Sequence, residues 1–338
     1  MALDLRARIT EFARTHRLPV ALGVAALLIA LPFVLGSAYY IRVATIVGIY
    51  VILVSGLNII IGFTGMFSLG HAAFYGIGAY TSAMLTVFAG WPFWLALPAA
   101  GVVAGLFGTL IGLVTLRLRA VFLAFTTLGF GEITRIVILN WRSFTRGPLG
   151  IAGIPIPTIF GWQFNGYGYY YLVVVLSALT VGIIYRIYHS RVGRALVAIR
   201  EDETAAKSMG ISVFGYKVLA FTLACFFAGI AGSFFAHFQR FVSADSFANL
   251  ESFAIITMVA LGGTGSIIGP ILGATILVVF PEIFRFLAQY RGVIYGLILI
   301  TVIVVKPGGL AGVKGIFEKP KVPKRQGRLV RLLTGGTQ

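Results

Sequence analysis

Apolar and charged positions are segregated along this chain rather than interleaved. Residues 43–116 run for 74 positions without one Asp, Glu, Lys or Arg, where ordinary soluble composition would place roughly eighteen charges. A charge at the centre of a membrane-spanning helix costs about 2.5–3.5 kcal/mol on insertion scales, so a run of this length reflects lipid as solvent rather than a large water-soluble core. Spanning needs about 20 apolar residues. Ten segments approach that length: 18–36, 41–61, 66–87, 93–116, 119–140, 169–188, 217–238, 252–267, 268–283 and 292–305. The third, eighth and ninth are short or rich in glycine and could be re-entrant, so the pattern predicts eight to ten crossings. No alternating strand pattern of a membrane barrel is present, and backbone groups in lipid must be satisfied within helices. The predicted fold class is an all-α membrane protein, a polytopic helical bundle.

Charge then orients the bundle. Alternating ten spans from a cytoplasmic amino end places twenty of the 27 Lys and Arg inside, in the arm 1–17, at 117–119, between 186 and 217, and from 306 onward. That asymmetry predicts both termini in the cytoplasm. The chain divides into an amphipathic amino-terminal arm (1–17), a transmembrane domain (18–305) and a basic tail (306–338), the tail read as largely disordered and attracted to anionic lipid. Although the formal charge is +17, the chain is 59% apolar with a mean hydropathy of +0.97, and no basic patch is interleaved with aromatics, which excludes a nucleic-acid binder. Cys225 lies alone in an apolar run, so neither a disulfide framework nor a metal cluster is expected. Trp91, Trp94, Tyr167, Tyr169, Tyr170 and Tyr171 fall at span ends, where amphipathic rings anchor to headgroups.

The one long polar interruption before the tail reads RIYHSRVGRALVAIREDETAAKSMGISVFGYK, from Arg186 to Lys217. Ser190 is placed to cap a short helix ending at Arg200, Asp202 to cap a second over 203–209, and Gly210 to end it in a left-handed turn. Seven helical residues span only about 10 Å and are unstable alone, so a partner should hold them.

The spacing Glu203, Ala205, Ala206, Gly210 resembles the E-x-A-A-x-x-x-G loop of permease subunits of ATP-binding-cassette importers. SLGHAAFYGIGAY (68–80), TLGFGEITR (127–135), GRALVAIREDETAAKSMGI (193–211), ALGGTGSIIGPILGA (260–274) and PGGLAG (307–312), in that order, resemble the branched-chain amino acid importer permeases of the LivM type. The stretch RGPLGIAGIP departs from the TGG-like run expected there. The resemblance implies that loop 189–216 inserts into a cytoplasmic ATPase, with small Ala205 and Ala206 permitting close docking and Arg194, Arg200 and Glu201 pairing with charges on that partner. It further implies a second, LivH-type permease, two ATP-binding subunits carrying ATP and Mg, a periplasmic or extracellular substrate-binding protein, and the bacterial inner membrane. No cofactor is expected on this chain, since no G-x-x-x-x-G-K-[ST] loop occurs in it. No Ser/His/Asp, Cys/His or metal-spaced set is visible either, so a translocation subunit rather than an enzyme is expected.

Inside the bundle, Glu132 and Arg135 are spaced for one helix face, and Glu132 is the one acidic residue well inside a predicted span. They are either a structural pair or groups facing the route. Asn58 and His71 are polar positions in apolar runs, expected to hydrogen-bond between helices or, less simply, to meet ligand. Gly62, Thr64, Gly65 and Gly70 are echoed two hundred residues later by Gly262, Thr264, Gly265 and Gly269. Glycine and threonine serve tight helix packing, and glycine-interrupted segments in corresponding halves of a transporter also mark broken helices beside a substrate path. Gly65, Ser68, His71, Glu132, Arg135, Thr264 and Gly265 are thus the candidate path residues. A stand-alone secondary transporter or channel for a small zwitterionic solute, or a membrane scaffold, are the competing readings. A sparsely charged route suits an amino acid with an apolar side chain.

Overall fold

The structure, a computed structural model, describes residues 36–118, 120–159, 161–283, 290–305 and 308–311, together with 23, 26 and 28–33. The predicted arm 1–17, most of the first predicted span and nearly all of the tail lie outside the described residues.

Long apolar runs became helices where expected, and the main departures come from glycine. The principal helices are α1 (Ala38–Asn58), α2 (His71–Val87), α3 (Phe93–Thr115), α4 (Ala120–Asn140), α5 (Tyr167–His189), α6 (Arg191–Glu201), α7 (Glu203–Ser208), α8 (Val213–Gln239), α9 (Asn249–Gly262), α10 (Ile268–Ile283) and α11 (Arg291–Val305). Among the described residues six stretches are long and apolar enough to cross a bilayer: Ala38–Phe63, Phe93–Thr115, Phe122–Asn140, Tyr167–His189, Val213–Gln239 and Ala244–Gly262. The all-α polytopic class holds. The predicted third span does not run from 66 to 87. Gly65 adopts φ +71°, residues 65–70 carry no helix, and α2 begins only at His71, leaving 17 residues. Likewise α9 begins at Asn249 and stops at Gly262, before the run 263–267 that was expected to continue it.

Helix α8 packs against α1, α2 and α3 and is the spine of the bundle. Close approach there depends on missing side chains. A Cβ on Gly78 of α2 would run into the Gly229 backbone of α8, and one on Gly232 into the Tyr75 carbonyl. The main core gathers Ile49, Ile52, Leu53, Phe74, Tyr75, Phe221 and Phe234, all buried. Cys225 is buried in that core, as its apolar setting predicts. The expected headgroup anchors are only partly so: Trp91 is exposed, whereas Tyr169 and Tyr170 are buried, and Tyr169 Oη donates to the Phe234 carbonyl at 2.6 Å. The Tyr169 ring packs on Phe234 and Phe238 of α8, and Tyr170 Oη donates to the Leu28 carbonyl at 2.9 Å.

The two ends of the bundle are distinct. At one, α6 and α7 join α5 to α8, and Leu116 at the end of α3 lines an open cleft of about 570 Å³ with Glu203, Thr204, Lys207 and Phe214. At the other, β1 (Ile151–Ala152), which follows α4, pairs antiparallel with β4 (Phe241–Val242), which follows α8, in the register Ile151↔Val242. A small hairpin of β2 (Thr158–Ile159) and β3 (Trp162–Gln163) lies in the same connection.

Replacing Gly232 with valine should lower the melting temperature of the detergent-solubilised protein by roughly 5 °C, from overpacking against α2. Valine at Gly182, where a Cβ meets nothing within 4 Å, should leave it within about 1 °C on the same scale. Differential scanning fluorimetry of the two variants checks both.

Candidate functional site

The elbow formed by α6 and α7 is built by local chemistry that the sequence announces. Ser190 caps α6, its Oγ accepting from the Gly193 amide at 3.3 Å. Gly193 is required there, because a Cβ would meet the carbonyls of Ile187 and Tyr188. Asp202 caps α7, one carboxylate oxygen accepting from the amides of Thr204 at 2.8 Å and Ala205 at 2.9 Å. Gly210 ends it at φ +81°, while the Ile211 amide donates to the Ala206 carbonyl. A helix of six residues cannot persist on its own. Here Ala206 is turned inward and buried, and Glu203 pairs with Lys217 at the start of α8. Facing out are Glu201, Asp202, Thr204, Ala205, Ser208 and Met209, the last 83% exposed.

Helix α6 buries the stripe Gly193, Leu196 and Ile199. Leu196 packs into a small separate core with Ile59, Phe63, Ile184, Ala220 and Phe227, so α6 rests on the end of α1. That end is not α-helical: residues Ile59–Phe63 form one π turn, a local widening that recurs at functional sites because it frees backbone groups and redirects side chains. The basic residues of the elbow divide. Arg194 donates to the His189 carbonyl at 3.3 Å, within its own loop. Arg200, expected to meet a partner, is turned inward with a side chain only 10% exposed; its Nη2 donates to Glu201 at 2.8 Å and its Nη1 to the Gly62 carbonyl at 2.8 Å. The reason is positional, since Arg200 lies four residues after Leu196 and continues the buried stripe.

The two recurring glycine segments meet. Gly62 approaches so closely that a Cβ would lie 2.5 Å from the Gly265 nitrogen. Asn58 ties them, its Nδ2 donating to the Ser266 carbonyl at 2.8 Å and its Oδ1 accepting from the Gly265 amide at 3.1 Å. Gly65 and Gly265 are matched in conformation, at φ +71° and +79°. Thr264 is buried beside them, with no hydrogen-bond partner for its hydroxyl. Residues 308–311 close the second break: the amides of Leu310 and Ala311 donate to the carbonyls of Leu261 at 2.9 Å and Gly262 at 2.8 Å. Residues 308–311, at the start of the tail, are therefore a turn docked on the end of α9.

The other candidate path residues form a second group. Ser68 and His71 are fully buried on the link into α2, which crosses α4 where the Leu69 amide donates to Thr127 Oγ1 at 3.0 Å, about 10 Å along α4 from its start. The Ala72 amide donates to Ser252 Oγ of α9 at 3.0 Å. Nearby, Glu132 accepts from Arg135 Nε at 3.0 Å and Nη2 at 2.5 Å, and from Asn249 Nδ2 at 3.1 Å; Arg135 also reaches Asp245 at 3.6 Å. The Glu132 and Arg135 side chains are 38% and 26% exposed on the flank of a helix that would otherwise face lipid. Sequence reasoning missed Glu251, which it left outside the eighth span. It lies inside α9 and accepts a hydrogen bond from Tyr50. The Ser/Asn-rich approach to α9 hid the helix start.

Taken together, a bundle of apolar helices interrupted by paired glycine breaks, with a capped polar elbow at one end, defines a multi-pass membrane permease. The family model described as the permease component of the branched-chain amino acid transport system matches residues 39–303, and the chain belongs to that family. It is 41% identical over 308 residues to the high-affinity branched-chain amino acid transport permease LivM of Escherichia coli K12, covering 84% of this chain and 72% of that one. It is 26% identical over 308 residues to the LivH permease of the same strain (81% and 93%), and 30% over 215 residues to the autoinducer 2 import permease LsrC of an Enterobacter (61% and 60%). No solved structure matches the chain significantly.

Replacing Asp202 with alanine removes the cap of α7 at a cost of about 1 kcal/mol. Amide hydrogen exchange across 204–211 should accelerate by roughly fivefold at that cost, while Asp202→Asn, which keeps an acceptor, should stay near the original rate.

Proposed function

We propose that this chain is a membrane-spanning subunit of an ATP-driven importer of branched-chain amino acids, working with a LivH-type second permease, two ATP-binding subunits that hold ATP and Mg, and a substrate-binding protein. The α6–α7 elbow lies in the cytoplasm, as the basic residues between 186 and 217 favour, and the membrane is the bacterial inner membrane. The single observation that carries the reading is the capped α7, seated on the bundle by Ala206 and the Glu203–Lys217 pair with Thr204, Ala205, Ser208 and Met209 facing outward. It suits insertion into a cleft on an ATPase. Names of the LivM and LivH relatives support the cargo, while that of LsrC shows a similar permease in the import of another solute.

The transport cycle follows from differential affinity. ATP draws the two ATPase subunits together, the elbow is displaced, and the bundle exchanges one open side for the other; each ligand shifts the balance only by as much as it prefers one state. Glu132 and Arg135, with Asp245 and Asn249, stand toward the end of the bundle opposite the elbow and offer polar groups of both signs to a zwitterion leaving the binding protein. Gly65, Ser68, His71, Thr264 and Gly265 line the breaks through which the helices flex.

Proteoliposomes holding this chain with its four partner proteins should take up leucine only with internal ATP, and gradient-driven uptake by this chain alone would establish the secondary-carrier reading instead. Ala205→Trp, which blocks close docking of α7, should reduce uptake at least about tenfold, equivalent to about 1.4 kcal/mol of coupling, without changing the yield of the permease pair. Glu132→Gln should reduce uptake several-fold if the pair faces the route; unchanged uptake with normal assembly would make it structural.

A further inference from the structure

One side chain connects the elbow to both glycine breaks. Arg200 Nη1 donates to the Gly62 carbonyl at 2.8 Å, in the π turn that ends α1. The same nitrogen lies 2.7 Å from where a Cβ on Gly265 would stand, and Arg200 Cγ lies 3.1 Å from that position on Gly65. Both breaks therefore leave room for one arginine side chain, its stem at Gly65 and its guanidinium at Gly265, and both do so by having glycine in a left-handed conformation at matching places. Behind it, Asn58 fastens the breaks to each other through Gly265 and Ser266. Glu201 takes the Nε and Nη2 edges at 3.3 and 2.8 Å, which fixes the plane of the fork so that Nη1 points at the carbonyl.

We propose that Arg200 is the positioning residue that carries movement of the α6–α7 elbow into the two broken helices. The inference rests on the importer reading above. Leu196 supplies the contact between α6 and the end of α1, but apolar contacts slide; a charged donor on a backbone carbonyl has direction and resists sliding. With the guanidinium in place, α6 cannot tilt without moving the Gly62 carbonyl, and Gly62 cannot move without Gly265, because their backbones touch. Displacing α7 thus shifts the C-terminal ends of α1 and α9 together, the two elements whose corresponding positions in the halves of the chain mark a substrate path. Arginine suits the place better than lysine, since it serves Gly62 and Glu201 at once from a planar, weakly hydrated group.

The test uses the complete transporter in proteoliposomes, with leucine uptake and ATP hydrolysis measured on the same vesicles and assembly monitored by size-exclusion chromatography. Absence of ATP-dependent uptake by the unmodified complex would defeat the importer reading itself, leaving this inference without a basis. Given that uptake, Arg200→Ala should retain ATP hydrolysis within about twofold while leucine carried per ATP falls at least about tenfold. Arg200→Lys, which keeps a donor within reach of Gly62, should assemble and fall between the two. An unchanged ratio in the variants that assemble, or a parallel fall of hydrolysis and uptake, overturns the proposal. Failure of even Arg200→Lys to assemble would show a folding residue and overturns it equally.

Discussion

Inside a bilayer every backbone N–H and C=O must find a partner in the protein, at a cost of several kcal/mol for each that does not, and this bundle interrupts its helices in spite of that. The interruptions survive with specific neighbours meeting several of the freed groups. Asn58 receives the Gly265 amide and gives to the Ser266 carbonyl; Arg200 gives to the Gly62 carbonyl; Ser252 and Thr127 take the amides at the entry to α2; and the turn at 308–311 covers the end of α9. Most of these partners come from distant parts of the chain. The breaks are thus properties of the assembled bundle, and the motifs that flank them are the pieces of one construction.

Much of this was legible in the residues, and the reasons differ by range. Caps are local, so Ser190, Asp202 and Gly210 could be assigned from their own neighbours and the structure agrees at each. Span boundaries depended on what glycine would do. Gly65 and Gly263, both at positive φ, end helices that hydropathy alone would continue, because hydropathy measures preference for lipid and is blind to backbone conformation. The repeat of Gly62–Gly65 at Gly262–Gly265 was visible as a pattern, but that the copies touch is a contact across two hundred residues that no local rule contains. The inward turn of Arg200 was hidden by its chemistry: a charged residue in a polar loop suggests an outward face, although its spacing of four from Leu196 carried the opposite signal. Glu251 was lost to a boundary drawn three residues late.

The candidate path residues separate into two levels of the bundle. Gly65, Thr264 and Gly265 lie with Arg200 and Asn58 toward the elbow, whereas Glu132, Arg135, Asp245 and Asn249 lie toward the other end. Ser68 and His71 stand on the link between them. The first group sits where α1 and α9 end, whereas Glu132 and Arg135 lie inside α4.

The 27 residues of α8 extend for about 40 Å, from Val213, four residues before the Lys217 pair with Glu203, to Gln239, which receives a hydrogen bond from Arg42. A rod of that length amplifies: a tilt of about 4° at the elbow swings the far tip by roughly 3 Å. Because β4 follows directly and is stitched to β1, the swing would drag the connection after α4 with it. The far end of the bundle therefore shares a mechanical axis with the Glu203–Lys217 salt bridge at the elbow.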